Sequence, residues 1–143
     1  MRKSLLAALV LTLVACGGDK AIGPQDVTGS YTLRTVNGAN PPSVVYQDAD
    51  QKLEVTDGTL VLTADHKWSG TLGGRLTDLS TGDHEDQPGL PLDGGTYTLS
   101  GSTLTLNDPT EGLTFTGTVS SGTLTVTVDL IGFGSFTTLV YTK

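Results

Sequence analysis

The sequence predicts an all-β protein: an antiparallel up-and-down meander of eight to ten short strands that closes into a small barrel. Three observations carry this reading. From residue 29 onward apolar residues alternate with polar ones, and the polar member is usually Thr. Turn signals built on Gly separate the alternating runs at short intervals. After the first fifteen residues no segment places apolar side chains at helical spacing, apart from a short turn that Val44-Val45-Tyr46-Gln47 would allow. Alternation with period two is the mark of a strand with one dry face and one wet face.

The runs follow in order. Ser30 to Val36 sets Tyr31 and Leu33 on one face and Arg34 on the other. Gly58 to Thr63 offers Leu60 and Leu62, and Lys67 to Leu72 offers Trp68, Gly70 and Leu72. Thr96 to Leu99, Thr103 to Leu106 and Leu113 to Thr116 come next. Leu124 to Val128 is the most regular, and a last run spans Phe133 to Tyr141. Thr suits the outward positions because it is β-branched and polar. Between the runs, Thr56-Asp57-Gly58, Ser100-Gly101 and Ser120-Ser121-Gly122 read as hairpin turns. DGTLVLTAD, GGTYTLSG, GSTLTLND and SGTLTVTVD repeat one hairpin-sized pattern at irregular spacing, which excludes a solenoid. Two stretches do not read as strands. Residues 37–50 carry Asn37-Gly38 and Pro41-Pro42, and residues 81–95, TGDHEDQPGLPLDGG, form a long acidic loop broken by two prolines.

Strands with one apolar face must cover it. Barrel closure does so and removes exposed edges, and eight strands enclose a space that side chains fill or one small ligand occupies. A β-sandwich is the alternative, since it satisfies the same pattern. On the barrel reading Tyr31, Leu33, Trp68, Tyr97, Phe115 and Tyr141 lie on inward faces. They form the core, and in a hollow barrel they would line the cavity, with phenol and indole groups as its few polar contacts. Arg75 is a rare cation on a strand-like run and is the candidate to meet a ligand carboxylate at the mouth.

The N-terminus has a different character. Arg2 and Lys3 precede an apolar stretch from Ser4 to Val14, the length of a signal-peptide core and too short to span a bilayer as a helix. It ends Leu13-Val14-Ala15-Cys16, with the chain's only cysteine. This resembles a bacterial lipobox, which implies diacylglycerol on the Cys16 thiol and cleavage before it. Residues 1–15 are thus read as a lipoprotein signal peptide, 16–27 as the lipidated cysteine and a flexible tether, and 28–143 as one β domain. A lone cysteine permits no intramolecular disulfide. Gly17 stands where an Asp would retain a lipoprotein in the inner membrane. The expected location is extracytoplasmic: the outer membrane facing the periplasm in a didermal bacterium, otherwise the outer face of the cytoplasmic membrane.

Cleavage would leave 128 of the 143 residues and take the formal net charge from −7 to −9, because the leader carries two basic and no acidic side chains. Such a chain lacks the clustered Lys and Arg that nucleic acid or an anionic surface demands.

The layout resembles the lipocalin-like domains of bacterial lipoproteins. GSYTLRTVNGANPP is similar to the family's opening strand and loop, and DGTLVLTADHKWSG to its next hairpin, with His66 and Lys67 where that pattern favours Gly and a polar residue. GGTYTLSGSTLTL and the closing TLVYTK complete the likeness over residues 28–143. It implies a barrel and says little about activity.

No catalytic constellation emerges. Asp83-His84-Glu85-Asp86 is the densest group of metal-ligand types, but it lacks EF-hand or zinc spacing and reads as a solvated acidic loop. His66 is expected to be a turn residue, and no Gly-x-Ser-x-Gly elbow is present. The expectation is therefore a membrane-anchored binding or structural module without a cofactor, not an enzyme. Its partners would be the membrane through Cys16, a small apolar or amphipathic ligand, or another envelope protein. The competing reading is an envelope hydrolase or isomerase acting at the barrel mouth.

Overall fold

The computed structural model describes residues 26–90, 92–132 and 134–143. These form ten strands: β1 (Gly29–Val36), β2 (Ser43–Gln47), β3 (Gln51–Leu62), β4 (Lys67–Asp78), β5 (His84–Pro88), β6 (Gly94–Ser100), β7 (Thr103–Asp108), β8 (Leu113–Ser120), β9 (Thr123–Asp129) and β10 (Phe136–Thr142). The sheet runs β2-β3-β1-β10-β9-β8-β7-β6-β4-β5, every neighbour antiparallel, and a further pairing of β3 with β4 closes it. The closed ring holds eight strands; β2 and β5 lie outside it. The fold is a barrel and not a sandwich.

The two longest strands explain the two extra ones. β3 and β4 have twelve residues each, and only their halves near the connecting turn belong to the barrel wall. β1 pairs with β3 through Thr59–Leu62 alone, and β6 pairs with β4 through Lys67–Ser69 alone. Beyond those points the hairpin leaves the ring. There β2 takes the free edge of β3 and β5 the free edge of β4, which makes a four-stranded extension.

This arrangement corrects three sequence expectations. Thr56-Asp57-Gly58 is not a turn but the interior of β3, where a bulge between Val55 and Asp57 bends the strand out of the barrel. Gly58 is needed there for close approach: a Cβ would stand 2.9 Å from Leu72 Cδ1 and 3.1 Å from the Thr71 carbonyl oxygen. The stretch 37–50 contains β2, so Val44 to Gln47 is a strand and not a helical turn. The stretch 81–95 contains β5. Both are edge strands with mostly exposed side chains, and so neither shows alternation. The last strand begins at Phe136. The turn signals at Gly101 and at Ser121-Gly122 do mark hairpins; φ of 49° and 78° at the latter pair matches the twist of the strands they join.

The core lies inside the ring. Tyr31, Leu60, Leu72, Leu104, Leu106, Leu124, Leu139 and Tyr141 are fully buried. Leu90, Leu92 and Asp93 seal the gap where β4 parts from β6: Leu90 N–H donates to the Leu72 carbonyl, Gly70 N–H to that of Asp93, and Leu92 drops into the core. The chain enters at Asp26 at one end of the barrel. The 63–66, 101–102 and 121–122 turns and Lys143 share that end, since Lys143 N–H donates to the Gly122 carbonyl and Val119 N–H to that of Ser102. The extension, the 37–42 and 109–112 connections and residues 130–132 occupy the opposite end.

Candidate functional site

The residues expected to face inward all do so. Tyr31, Leu33, Trp68, Tyr97, Phe115 and Tyr141 are each no more than 7% exposed. Trp68 packs edge-on against Phe115, with centroids 6.1 Å apart. Their polar groups are mostly committed to the barrel itself. The Tyr31 hydroxyl donates to the Val27 carbonyl at 2.6 Å, that of Tyr97 to Thr63 at 2.8 Å, and the Trp68 indole to Asn107 at 3.1 Å. Val27, the last residue assigned to the tether, is itself buried. The Tyr141 hydroxyl is buried without a hydrogen-bond partner. Burial pushes the phenol pKa up in Tyr31, Tyr97 and, most of all, Tyr141.

Arg75 lies on the outer face of the extension, between its ladder partners Glu54 and Asp86. Its Nε donates to Asp86 Oδ1 at 2.9 Å, and Lys52 meets Glu54 at 3.1 Å. Asp83, His84, Glu85 and Asp86 are exposed at the start of β5 and alternate in direction along it. Among the described residues no three His, Cys, Asp or Glu side chains converge as a metal site. His66 is an exposed turn residue with φ of 60°, its ring 5.3 Å from that of Tyr97. Its neighbour Asp65 is engaged by Thr63 and Lys67. Cys16 lies outside the described residues.

Two surface clefts flank the point where β3 bends. One, of about 540 Å³, lies between the bulge and β5 and is lined by Asp57, Thr71, Gly73, Arg75 and Pro88. The other, of about 490 Å³, opens where β1 parts from β3 and is lined by Arg34, Asn40, Pro41 and Thr59. Thr56 and Asp57 are common to both. Arg34 points outward, and its Nε donates to Thr142 Oγ1 at 2.8 Å.

The two ends of the molecule differ chemically. Among the described residues, the large hydrophobic side chains that stay exposed are Val44, Tyr46, Leu79, Leu113 and Phe136. Val44, Tyr46 and Leu79 belong to the extension; Leu113 and Phe136 begin strands at the same end. Phe136 is 69% exposed, a large cost for a phenyl ring left in water. Charge is just as uneven. The extension and the loop returning from it, residues 43–57 and 73–93, hold nine Asp or Glu against two Lys or Arg. The other described residues hold five against three.

Sequence reasoning missed this end because its signal is not periodic. Val44-Val45-Tyr46 is a β-branched and aromatic run, and that alone could have marked an edge strand. Phe136 is the exception: it lies five positions from the inward Tyr141, so strict alternation sets it on the outward face, a signal the sequence did carry.

No protein-family model matches the chain, and no curated protein or solved structure matches it.

Proposed function

We propose that this protein is a lipid-anchored extracytoplasmic lipoprotein whose lipocalin-like barrel acts as an interaction module, offering its extension end to an envelope protein partner. The anchor reading rests on the leader and on the Leu13-Val14-Ala15-Cys16 box. The eight-stranded closed ring agrees with the lipocalin-like likeness. The observation that carries the interaction reading is the one-sided placement of exposed hydrophobic side chains. Single exposed apolar residues are ordinary, but Val44, Tyr46, Leu79, Leu113 and Phe136 all fall at the end opposite Asp26, where the tether would join. A module held by its N-terminus would direct that end away from the membrane. In a didermal source the anchor would sit in the outer membrane, facing the periplasm; otherwise it would sit on the outer face of the cytoplasmic membrane.

Photo-crosslinking in the native envelope tests this. A crosslinking residue at position 46 or 136 should capture one discrete protein, and one at position 121 should not. Capture from position 121 alone, or from none of the three, would overturn the reading.

A carrier for a small apolar molecule inside the barrel is the second reading. The buried, unpartnered Tyr141 hydroxyl favours it, since a ligand polar group would satisfy that oxygen. Native mass spectrometry of the gently purified protein separates the two: a reproducible added mass lost on denaturation supports the carrier.

A further inference from the structure

We propose that the outer edge of β5 accepts a cationic, extended peptide segment of a protein partner as an added strand. The proposal rests on the interaction reading above and names the chemistry of its partner.

The first observation is backbone geometry. β5 ends the sheet, paired with β4 on one side only. The Asp78 N–H donates to the Asp83 carbonyl at 2.8 Å, and this bond sets the phase of the ladder. In an antiparallel pair, hydrogen-bonded and non-bonded positions alternate, so Glu85 and Gln87 address β4. His84, Asp86 and Pro88 therefore turn their main-chain groups outward. Pro88 fits this phase, because its missing N–H falls where β4 needs none. The edge thus offers two N–H groups and three carbonyls to an incoming strand, the main-chain recognition used in strand addition.

The second observation is charge. β5 reads His84-Glu85-Asp86-Gln87-Pro88 and follows Asp83. Arg75, the cation nearest on β4, already pairs with Asp86, and the extension as a whole keeps its excess of seven acidic side chains. Like charges directly opposite each other destabilise a strand pair, so a second copy of β5 is an unfavourable occupant. A strand bearing Lys or Arg meets the complementary field. β2, the other edge, carries no charge and is interrupted by a bulge between Val44 and Tyr46, so nothing there specifies an occupant.

The test is binding of a labelled, end-capped peptide alternating Lys with Thr and Val, measured on the full lipidated chain in neutral detergent. The controls are an isosteric peptide with Glu for Lys and the variants His84→Ala and His84→Pro. Both substitutions keep every carboxylate; only the second removes an outward N–H. We expect saturable binding of the cationic peptide alone, weakened by salt. His84→Pro should bind roughly three- to tenfold more weakly than His84→Ala, the loss of about one net hydrogen bond. Hydrogen exchange on the unmodified protein gives a readout that no variant can confound: the His84 and Asp86 amides should gain protection on binding. No saturable binding, equal binding of the acidic peptide, or unchanged exchange at both amides would overturn the proposal. Binding indifferent to His84→Pro would do the same, since it would mean charge attraction without strand addition. Discrete crosslinks from position 46 or 136 without peptide binding would remove this inference and leave the broader reading standing.

Discussion

The indole of Trp68 reaches past Gly95 to the main-chain carbonyl of Asn107, which accepts its N–H at 3.1 Å. Trp68 and Gly95 are ladder partners, and Asn107 lies on the next strand, paired with Thr96. A Cβ on Gly95 would collide with that same carbonyl oxygen. One missing methyl group therefore lets β4, β6 and β7 be tied together by a single side chain. Gly95→Ala should destabilise the protein by about 1–3 kcal/mol, because the obstacle is backbone and cannot rotate away. Trp68→Phe should cost about 1–3 kcal/mol, leaving the carbonyl without its donor. Urea unfolding followed by circular dichroism measures both. A neutral Gly95→Ala would mean that β6 and β7 do not approach as described.

Tyr31 and Tyr141 should respond oppositely to loss of the hydroxyl. Tyr31→Phe removes a 2.6 Å bond to Val27 and should cost about 1 kcal/mol. Tyr141→Phe removes a buried hydroxyl that has no partner and should be neutral or stabilising. The denaturation midpoints decide, and a strongly destabilised Tyr141→Phe would reveal a bond absent from this structure.

Alkaline stability follows from the same phenols. Burial raises the pKa of Tyr31, Tyr97 and Tyr141, so the folded state holds protons that the unfolded chain gives up. Stability should be intact below the ordinary phenol value of about 10 and fall as pH rises above it. Beyond the contribution of the exposed Tyr46, tyrosinate absorbance should appear together with loss of β-sheet signal. Full ionisation of all tyrosines in a still-folded protein would contradict the burial.

Acid should act through exposed turn carboxylates. The Tyr46 hydroxyl and the Gln51 and Asp50 N–H groups hold Asp48 below the usual carboxylate range, and the Ser80 hydroxyl with the Ser80 and Thr81 N–H groups does the same for Asp78. The unfolded chain then binds protons first as pH falls. This stabilisation is present above about pH 4 and is lost as pH drops through the lower, folded values. Comparing urea midpoints at pH 6 and pH 3 should show the decline, and the double variant Asp48→Asn, Asp78→Asn should show a shallower one.

Cys16→Ser should abolish incorporation of labelled fatty acid and release the protein from the membrane fraction, because only the thiol forms the thioether. Retention of the variant in membranes would leave the leader acting as an uncleaved anchor.

What the sequence made legible was the closed ring, because each of its strands has one dry face. Leu124, Val126 and Val128 are all buried, and the intervening Thr residues mark the outer surface. The inward aromatics were legible for the same reason. β2 and β5 were not, since a five-residue edge strand with mostly exposed side chains is too short and too wet to show a clear period. Asp57-Gly58 misled because the dipeptide that favours a tight turn also suits a bulge beside a close approach. The partner of Arg75 was hidden: Asp86 lies eleven residues away, and only the β4–β5 register brings the two together.

The long hairpin also has a mechanical consequence. β3 and β4 run unbroken from the barrel wall into the extension, so no loop between the two acts as a swivel. A pull between a tether at residue 26 and a partner on the extension would run lengthwise along β1 and β3, which are antiparallel neighbours through Gly29–Thr32 and Thr59–Leu62. Those ladder bonds would be loaded in shear and would have to fail together, whereas a pull across the sheet would unzip them one at a time. The fold is thus built to transmit tension between its two ends.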